Sequence, residues 1–382
     1  MFFWVMRMIM AGYEWRGEKP FKNVYYTGIV RDKLRRKMSK SLGNSPDPLD
    51  LIEQFGADGV RLGMLLCSPA GNDILFDEKL CEQGRNFSNK LWNALRLLKG
   101  WEIYEGENAE NKASIEWLES KINKTILELN DSYSNFRLSE ALMTLYKLIW
   151  DDFCSWYLEM VKPVYNESGP ASIDQTTYNA TLGYFEQLLK VLHPWMPFIT
   201  EELWHHLNDR QESDCIIVAQ WPEVTTVDNA LLSDFDFAAE VVTQIRNLRS
   251  SKGMSPNEPI ELLLKSKETR SLSFDAMIIK LSNLSKLETA ADKVENSFSF
   301  MVGKTECFIP VSGGVDLAAE KDRLTKELEY NQGFLKSVQA KLGNERFVAN
   351  AKPEVVEMER KKMADAEAKI KAIAEQLAAL QG

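Results

Sequence analysis

Apolar side chains recur every three or four positions through residues 78–207, and this spacing is the strongest constraint that the sequence places on its fold. Three to four residues is the period of one face of an α-helix, so each series predicts an amphipathic helix. The breaks between the series hold Gly, Pro, Asn and Ser, as in 166–170. Four such helices with short connections predict a helical bundle. The series are Phe87, Leu91, Ala94 and Leu98; Ile122, Ile126 and Leu129; Leu138, Leu142, Leu145, Ile149 and Phe153; and Leu182, Phe185, Leu188, Leu189 and Leu192.

Residues 313–382 carry a second regular pattern, in which successive positions step alternately by four and three. This heptad pattern is typical of helices that pack along a narrow apolar stripe. Because the two series flank a turn at Gly343-Asn344-Glu345, we predict an antiparallel coiled-coil hairpin, with arms of about 27 residues and roughly 40 Å. A coiled coil that joins two copies of the chain is the alternative. The series are Leu317, Lys321, Leu324, Leu328, Asn331, Leu335, Val338 and Leu342; and Val356, Glu359, Met363, Ala366, Ile370, Ile373, Leu377 and Leu380.

Residues 1–77 mix strand-like and loop-like segments. Asn23–Thr27 is β-branched and aromatic, which predicts a strand that leads into a basic loop. Asp47 before Pro48 predicts the start of a helix, because Asp accepts hydrogen bonds from free amides and Pro suits the first turn. Asp58 is predicted to cap the following helix.

The pattern changes after Trp221-Pro222, which we interpret as a linker. A helix through Val241, Ile245 and Leu248 is followed by three strand-like segments, so a small α/β module is predicted. The strand-like segments are 260–264, 297–302 and 306–311. The chain is therefore expected to be mainly α. Its predicted parts are 1–77, 78–222, 223–312 and 313–382.

Composition excludes several classes of protein. No run of 18 uncharged apolar residues occurs, so no membrane-spanning helix is expected. The five cysteines are scattered and form no CxxC pair, so we expect no disulfide framework, no bound metal and a reducing, cytoplasmic location. The net charge of −10 argues against general nucleic-acid binding but allows local basic patches for one folded RNA. Met1–Met10 is apolar yet unlike a signal peptide, so we expect a buried element whose preceding sequence is missing.

The clearest chemical motif is Lys37-Met38-Ser39-Lys40-Ser41, followed by Leu42-Gly43-Asn44. Two lysines three positions apart, beside hydroxyls and a glycine, suit a polyphosphate that is gripped only while it reacts. An exposed Lys/Ser loop without a ligand is the alternative.

This motif resembles the KMSKS signature of the class I aminoacyl-tRNA synthetases. The resemblance implies the end of a Rossmann-type catalytic domain, with residues Lys37 to Ser41 binding ATP with Mg²⁺. It implies that Lys37 and Lys40 are the catalytic residues, which stabilise the leaving pyrophosphate. One position departs from the family, because Arg35 stands where a glycine is usual.

Other segments resemble the valine, isoleucine, leucine and methionine group of these enzymes. The segment around Trp4 is similar to the wall of the amino-acid pocket, and plain core packing is the alternative. The segments 86–93 and 193–204 resemble the helical anticodon-binding domain. Basic residues that are candidates for contacting tRNA there, each with a solvated surface role as the alternative, are Arg85, Lys90, Arg96, Lys121 and Arg137.

The tail resembles the valyl-tRNA synthetases, in which a C-terminal helical hairpin supports the tRNA. Isoleucyl enzymes more often end in a cysteine-rich zinc segment, and the tail has no cysteine. The resemblance implies tRNA(Val), valine and ATP as partners of a monomeric enzyme. Candidate RNA-contacting residues of the tail are Lys336, Lys341, Arg346 and Lys352.

The histidine-rich signature of the same family is not found before Lys37, since His193, His205 and His206 lie in the helical region. We therefore expect the C-terminal part of a longer synthetase, inactive alone and without an editing domain. An isoleucyl or leucyl enzyme and a non-catalytic tRNA-binding or coiled-coil protein are the alternatives.

Overall fold

A computed structural model describes residues 2–68, 71–163, 172–266, 271–310, 317–343, 357–360, 362–363, 366–367, 370 and 373–374. The chain forms two compact units, Met1–Leu232 and Ser233–Gly382. Helices predominate in the described residues, so the mainly α prediction is confirmed.

The first unit opens with helix α1, Phe2–Arg16. Our expectation of a buried element at Met1–Met10 is wrong for this chain, since Phe3 is 71% and Met10 is 64% exposed. An apolar helix is buried only where another element covers its apolar face. The predicted strand at Asn23–Thr27 is also wrong, because the chain becomes a strand only at Val30–Arg31 (β1), where it pairs in parallel with Ile74–Leu75 (β2).

Two short helices follow the basic loop, α2 at Pro48–Phe55 and α3 at Ala57–Leu66. The predicted start of α2 is confirmed, because Asp47 accepts a hydrogen bond from the amide of Leu49 at 2.9 Å. Residue Asp58 behaves differently from our prediction. It lies inside α3, and its Oδ2 accepts from the amide of Ile199 at 2.6 Å.

The helices of the bundle carry the predicted apolar series in their core. Its largest buried side chains include Phe87, Trp117, Phe153 and Phe185. The helix that begins at Leu138 changes to π-helical geometry over Leu148–Tyr157 before it resumes. The helices are α4 (Glu78–Lys99), α5 (Lys112–Ser134), α6 (Leu138–Lys147), α7 (Leu158–Val161), α8 (Gln175–Leu192) and α9 (Pro197–Leu207). Two short parallel strands, β3 (Glu102–Tyr104) and β4 (Ser172–Asp174), lie between them.

Helices α3 and α4 are in backbone contact through glycines. A Cβ on Gly63 would lie 2.7 Å from the amide nitrogen of Cys81, and a Cβ on Gly84 would lie 2.5 Å from the carbonyl oxygen of Gly59. Both distances are shorter than real Cβ contacts, so only glycine fits at these positions. This close approach holds α3, which follows the basic loop in the chain, against α4 of the bundle.

The second unit contains the predicted α/β module. Helix α10 (Asn229–Lys252) leads into it, and α11 (Asp275–Ser282) packs beside a four-stranded sheet of order β6-β5-β8-β7. The predicted strands are confirmed as β5 (Ile260–Lys265), β7 (Ser297–Val302) and β8 (Thr305–Pro310). Strand β6 (Leu284–Thr289) was missed, because this edge strand exposes most of its side chains and shows no regular alternation.

Helix α12, Leu317–Leu342, follows in the same unit. Val338 is buried, and so are Ala366 and Ile373 from the second heptad series. The Lys341 ammonium lies 4.0 Å from the Glu359 carboxylate. The heptad positions therefore include the least exposed of the described tail residues.

Candidate functional site

The signature loop, residues Asp32 to Asn44, begins with a tight hairpin. The amide of Arg35 donates to the carbonyl of Asp32 at 2.8 Å, and the amide of Asp32 donates to the carbonyl of Arg36 at 3.0 Å. This turn requires Arg35 to adopt a left-handed conformation with φ of 62°. Glycine adopts that conformation without steric cost, which accounts physically for the glycine that we expected at this position. Arg35 is therefore accommodated with backbone strain.

The carboxylate of Asp32 stabilises the hairpin from inside the loop. It accepts from the amides of Leu34 at 3.0 Å and Arg36 at 2.8 Å, and from the Arg36 guanidinium at 2.8 Å. The Asn44 side chain also donates to it at 3.0 Å. These donors, with the Asn44 hydrogen bond as the largest cause, hold the pKa of Asp32 at about 2.

The side chain of Asn44 connects the two ends of the loop. Its Nδ2 donates to Asp32 and to the carbonyl oxygen of Lys37 at 3.3 Å, and its Oδ1 accepts from the amide of Ser39 at 2.9 Å. The backbone on both sides of Met38 is thus held by one side chain.

The signature itself ends in a short 3₁₀ turn, Lys40–Leu42, capped by the hydroxyl of Ser39. Gly43 closes the turn in a left-handed conformation with φ of 61°. Lys37, Lys40 and Ser41 are exposed. Two cationic side chains and the hydroxyl of Ser41 are consequently available to an anionic ligand from solvent.

Met38 attaches the signature to the fold. Its side chain packs against an apolar cluster formed by Leu51, Phe55, Phe76 and Cys81. These residues come from α2, the segment after β2 and α4. Met38 is partly buried by this packing, while Lys37 and Lys40 on either side of it are exposed.

Ion pairs join the base of the hairpin to the segment around β2. The Arg31 guanidinium pairs with Asp73, and the Lys33 ammonium lies 2.9 Å from the Asp77 carboxylate. Both pairs are partly exposed, so solvent screens them and each contributes little to stability. Their main effect is to orient β1 against β2.

Family models match three parts of the chain. Residues 1–77 match tRNA synthetases class I (I, L, M and V), and residues 116–264 match the anticodon-binding domain of tRNA ligase. Residues 316–381 match the valyl tRNA synthetase tRNA binding arm.

Curated relatives match the chain from end to end. The valine–tRNA ligase of Christiangramia forsetii is 54% identical over 382 residues, which cover 100% of this chain and 43% of that protein. The valine–tRNA ligase of Enterococcus faecalis is 36% identical over 394 residues, which cover 100% and 44%. This chain belongs to the valyl-tRNA synthetase family. It spans less than half the length of the curated relatives that it matches.

Trp4, which the sequence assigns to an amino-acid pocket of this synthetase family, lies on α1 and is 66% exposed. The Arg7 guanidinium lies over its ring at 5.5 Å from the centroid. The indole is therefore available for a further contact.

Most of the basic residues that are candidates for contacting tRNA in the bundle already have partners within the chain. Arg85 lies over the Phe55 ring and pairs with Glu82, and Lys90 lies over the Trp150 ring. Arg96 is exposed on α4. Lys121 pairs with Asp152, and Arg137 pairs with Asp131 and with Glu140.

The basic candidates of the tail are only partly described. Lys336 and Lys341 are exposed on α12, and Lys341 pairs with Glu359. Arg346 and Lys352 lie outside the described residues.

The segment 193–204, which resembles a hallmark of the anticodon-binding domain, has a structural role in the bundle. Pro197 begins α9, and the Thr200 hydroxyl accepts from Nδ1 of His193 at 2.8 Å while donating to a backbone carbonyl. Burial lowers the pKa of His193. Arg61 of α3 donates to the carbonyl oxygens of Pro194 and Trp195, both at 3.3 Å. This segment therefore connects the helices after the signature to the bundle.

Sequence reasoning missed the hydrogen bonds that Asp32 and Asn44 make within the signature loop. Both are short polar residues that favour turns, and they frame the signature in the sequence at five positions before Lys37 and three after Ser41. That framing was the available signal. Their contact across the loop could not be inferred from spacing, because loop backbones have no fixed period.

Two further results concern the whole described part of the chain. Its helices include none long and apolar enough to cross a membrane. Within the same residues, no three His, Cys, Asp or Glu side chains are grouped so that they could hold a metal ion.

Proposed function

We propose that this chain is the C-terminal part of a valine–tRNA ligase, which converts ATP, valine and tRNA(Val) to valyl-tRNA, AMP and diphosphate. The observation that carries the proposal is the combination, in one chain, of an exposed KMSKS loop and a match to the valyl tRNA-binding arm. Relatives that match the whole chain at 50–54% identity support it.

In this proposal the signature loop binds the phosphates of ATP. Lys40 and Lys37 supply positive charge where pyrophosphate develops as the leaving group, and positioned charge is the main source of rate in such reactions. The hydroxyls of Ser39 and Ser41, 3.2 Å apart, bind phosphate oxygens or shape the loop. Mg²⁺ enters bound to ATP and neutralises part of the phosphate charge. Trp4 lines the valine pocket.

The remaining parts bind tRNA. We assign 1–77 to the end of the catalytic domain, 78–222 to anticodon binding, 223–312 to a linking module and 313–382 to an antiparallel coiled-coil arm that contacts the tRNA body. The basic residues of the bundle and arm provide local contacts to phosphate on an otherwise acidic protein. The enzyme acts as a monomer in the cytoplasm, and the isolated chain binds tRNA without forming valyl-adenylate.

The test is valine-dependent ATP–pyrophosphate exchange by the longer protein that contains this chain, with isoleucine and leucine as competitors. Lys40→Ala should lower the exchange rate by about 100-fold or more, because one stabilising donor is lost. Affinity for tRNA(Val) should change by less than about twofold, since binding contacts are distributed over many phosphates. Lys124→Ala, at an exposed position on α5, is the matched control.

A rate with isoleucine or leucine above that with valine would overturn the assignment of the amino acid. An unchanged rate for Lys40→Ala would overturn the role of the signature loop. Valine-dependent exchange by residues 1–382 alone would overturn the claim that the isolated chain is inactive.

A further inference from the structure

The hydrogen bonds around the signature loop converge on two side chains that lie outside the signature. Asp32 accepts from donors on Leu34, Arg36 and Asn44. Asn44 in turn is joined to the backbone of Lys37 and Ser39. Together the two side chains close a ring around the loop, which we call the Asp32–Asn44 clamp.

The clamp lies where little else can hold the loop. Lys37, Lys40 and Ser41 are exposed, and Met38 is the signature residue that packs against the apolar cluster. One apolar anchor fixes a position but leaves the chain free to rotate about it. The Asn44 amide removes that freedom, because it binds the residues immediately before and after Met38.

The clamp also opposes the strain at Arg35. A left-handed conformation is strained for a non-glycine residue such as Arg35, whose φ is 62°. Asp32 binds amides on either side of Arg35, at Leu34 and Arg36, so it holds the turn in the strained form. The hydrogen bond from Asn44 is the main reason why the pKa of the Asp32 carboxyl is about 2, so the carboxylate is ionised above that pH.

We propose that Asp32 and Asn44 are positioning residues, which fix the signature backbone so that the Lys37 and Lys40 ammonium groups meet the triphosphate of ATP. The inference rests on the proposed function, since it requires that this loop binds ATP. It goes beyond that function by assigning to two residues outside the signature a share of the rate. A displacement of about 1 Å at such a site costs about 100-fold in rate.

The experiment compares variants of the longer protein in valine-dependent ATP–pyrophosphate exchange. Asn44→Ala removes three hydrogen bonds and should lower kcat by about 10–100-fold, with KM for valine within about twofold. Asn44→Asp keeps the acceptor for Ser39 but loses both donors and faces the Asp32 carboxylate, so it should be at least as slow. Asn130→Ala, at an exposed position on α5, is the matched control and should equal the unaltered protein.

A charge exchange separates positioning from general damage. In Asp32→Asn combined with Asn44→Asp, an amide again donates to a carboxylate across the loop. This pair should recover about tenfold in kcat over Asn44→Asp alone, because the two sites are coupled. A double variant no faster than Asn44→Asp would overturn the proposal. So would Asn44→Ala with kcat within threefold of the unaltered protein, or with a loss that only follows a fall in Tm.

A second measurement distinguishes failure of this inference from failure of the proposed function. If the unaltered protein shows no exchange with valine, the proposed function is wrong and the positioning role falls with it. Hydrogen exchange then decides whether the clamp itself exists. The amides of Ser39 and Arg36 should exchange at least about tenfold faster in Asn44→Ala than in the unaltered chain, and equal rates would show that there is no clamp.

Discussion

The helical bundle holds its largest side chains out of water, whereas the signature loop keeps the side chains of Lys37 and Lys40 in water. In the bundle, Phe153 is fully buried and stacks on Phe185 with ring centroids 5.4 Å apart. In the loop, the backbone is held mainly by hydrogen bonds to the side chains of Asp32 and Asn44 rather than by such packing. Apolar packing provides stability without direction, and hydrogen bonds provide direction with modest net stability. We therefore expect the same kind of substitution to have different effects in the bundle and in the loop.

The largest loss of stability is expected in the bundle. Phe153→Ala should lower the free energy of unfolding by about 3–5 kcal/mol, since a fully buried ring is lost and a cavity remains. Urea denaturation measures the change. Phe198→Ala is the control, because Phe198 is 64% exposed, and its effect should stay within about 0.5 kcal/mol. Similar losses for both variants would show that burial does not distinguish these positions.

A smaller loss of stability is expected where α3 packs against α4 of the bundle. Gly84→Ala should destabilise the chain by about 1–3 kcal/mol, because the added Cβ would lie 2.5 Å from the carbonyl oxygen of Gly59 and force α3 away from α4. Gly183→Ala is the matched helical control, since no atom lies within 4 Å of its added Cβ. That control should be neutral or stabilising. Thermal unfolding of the two variants measures the difference, and equal Tm values would exclude the close contact.

The smallest change in the free energy of unfolding is expected in the loop, where the substitution should stabilise the chain. Arg35→Gly should stabilise the chain by about 0.5–1 kcal/mol, because relief of left-handed strain exceeds the added entropy of glycine in the unfolded chain. Arg35→Ala retains the strain and should give no gain. Urea denaturation of both variants is the measurement, and equal stabilities would show that Arg35 is unstrained.

Much of the fold could be predicted, because periodicity is a local property. The bundle helices, the start of α2 and three strands of the module followed from spacing and caps. Asp58 shows where this reasoning ends. A capping residue before an apolar series predicts a local cap, but its carboxylate binds the amide of Ile199, which is 141 residues away. Burial raises the pKa of Asp58, so this distant contact also sets its chemistry.

By itself, the sequence determined which segments of the bundle are helical, where the KMSKS signature lies and to which synthetase family the chain belongs. Each of these depends on residues that are close together in the chain. Only the tertiary structure decided that Met38 packs against an apolar cluster between two exposed lysines, that Arg35 is left-handed and that Asn44 closes the loop onto Asp32. These features depend on the path of an irregular backbone, which is set by contacts across the loop and with α2 and α4.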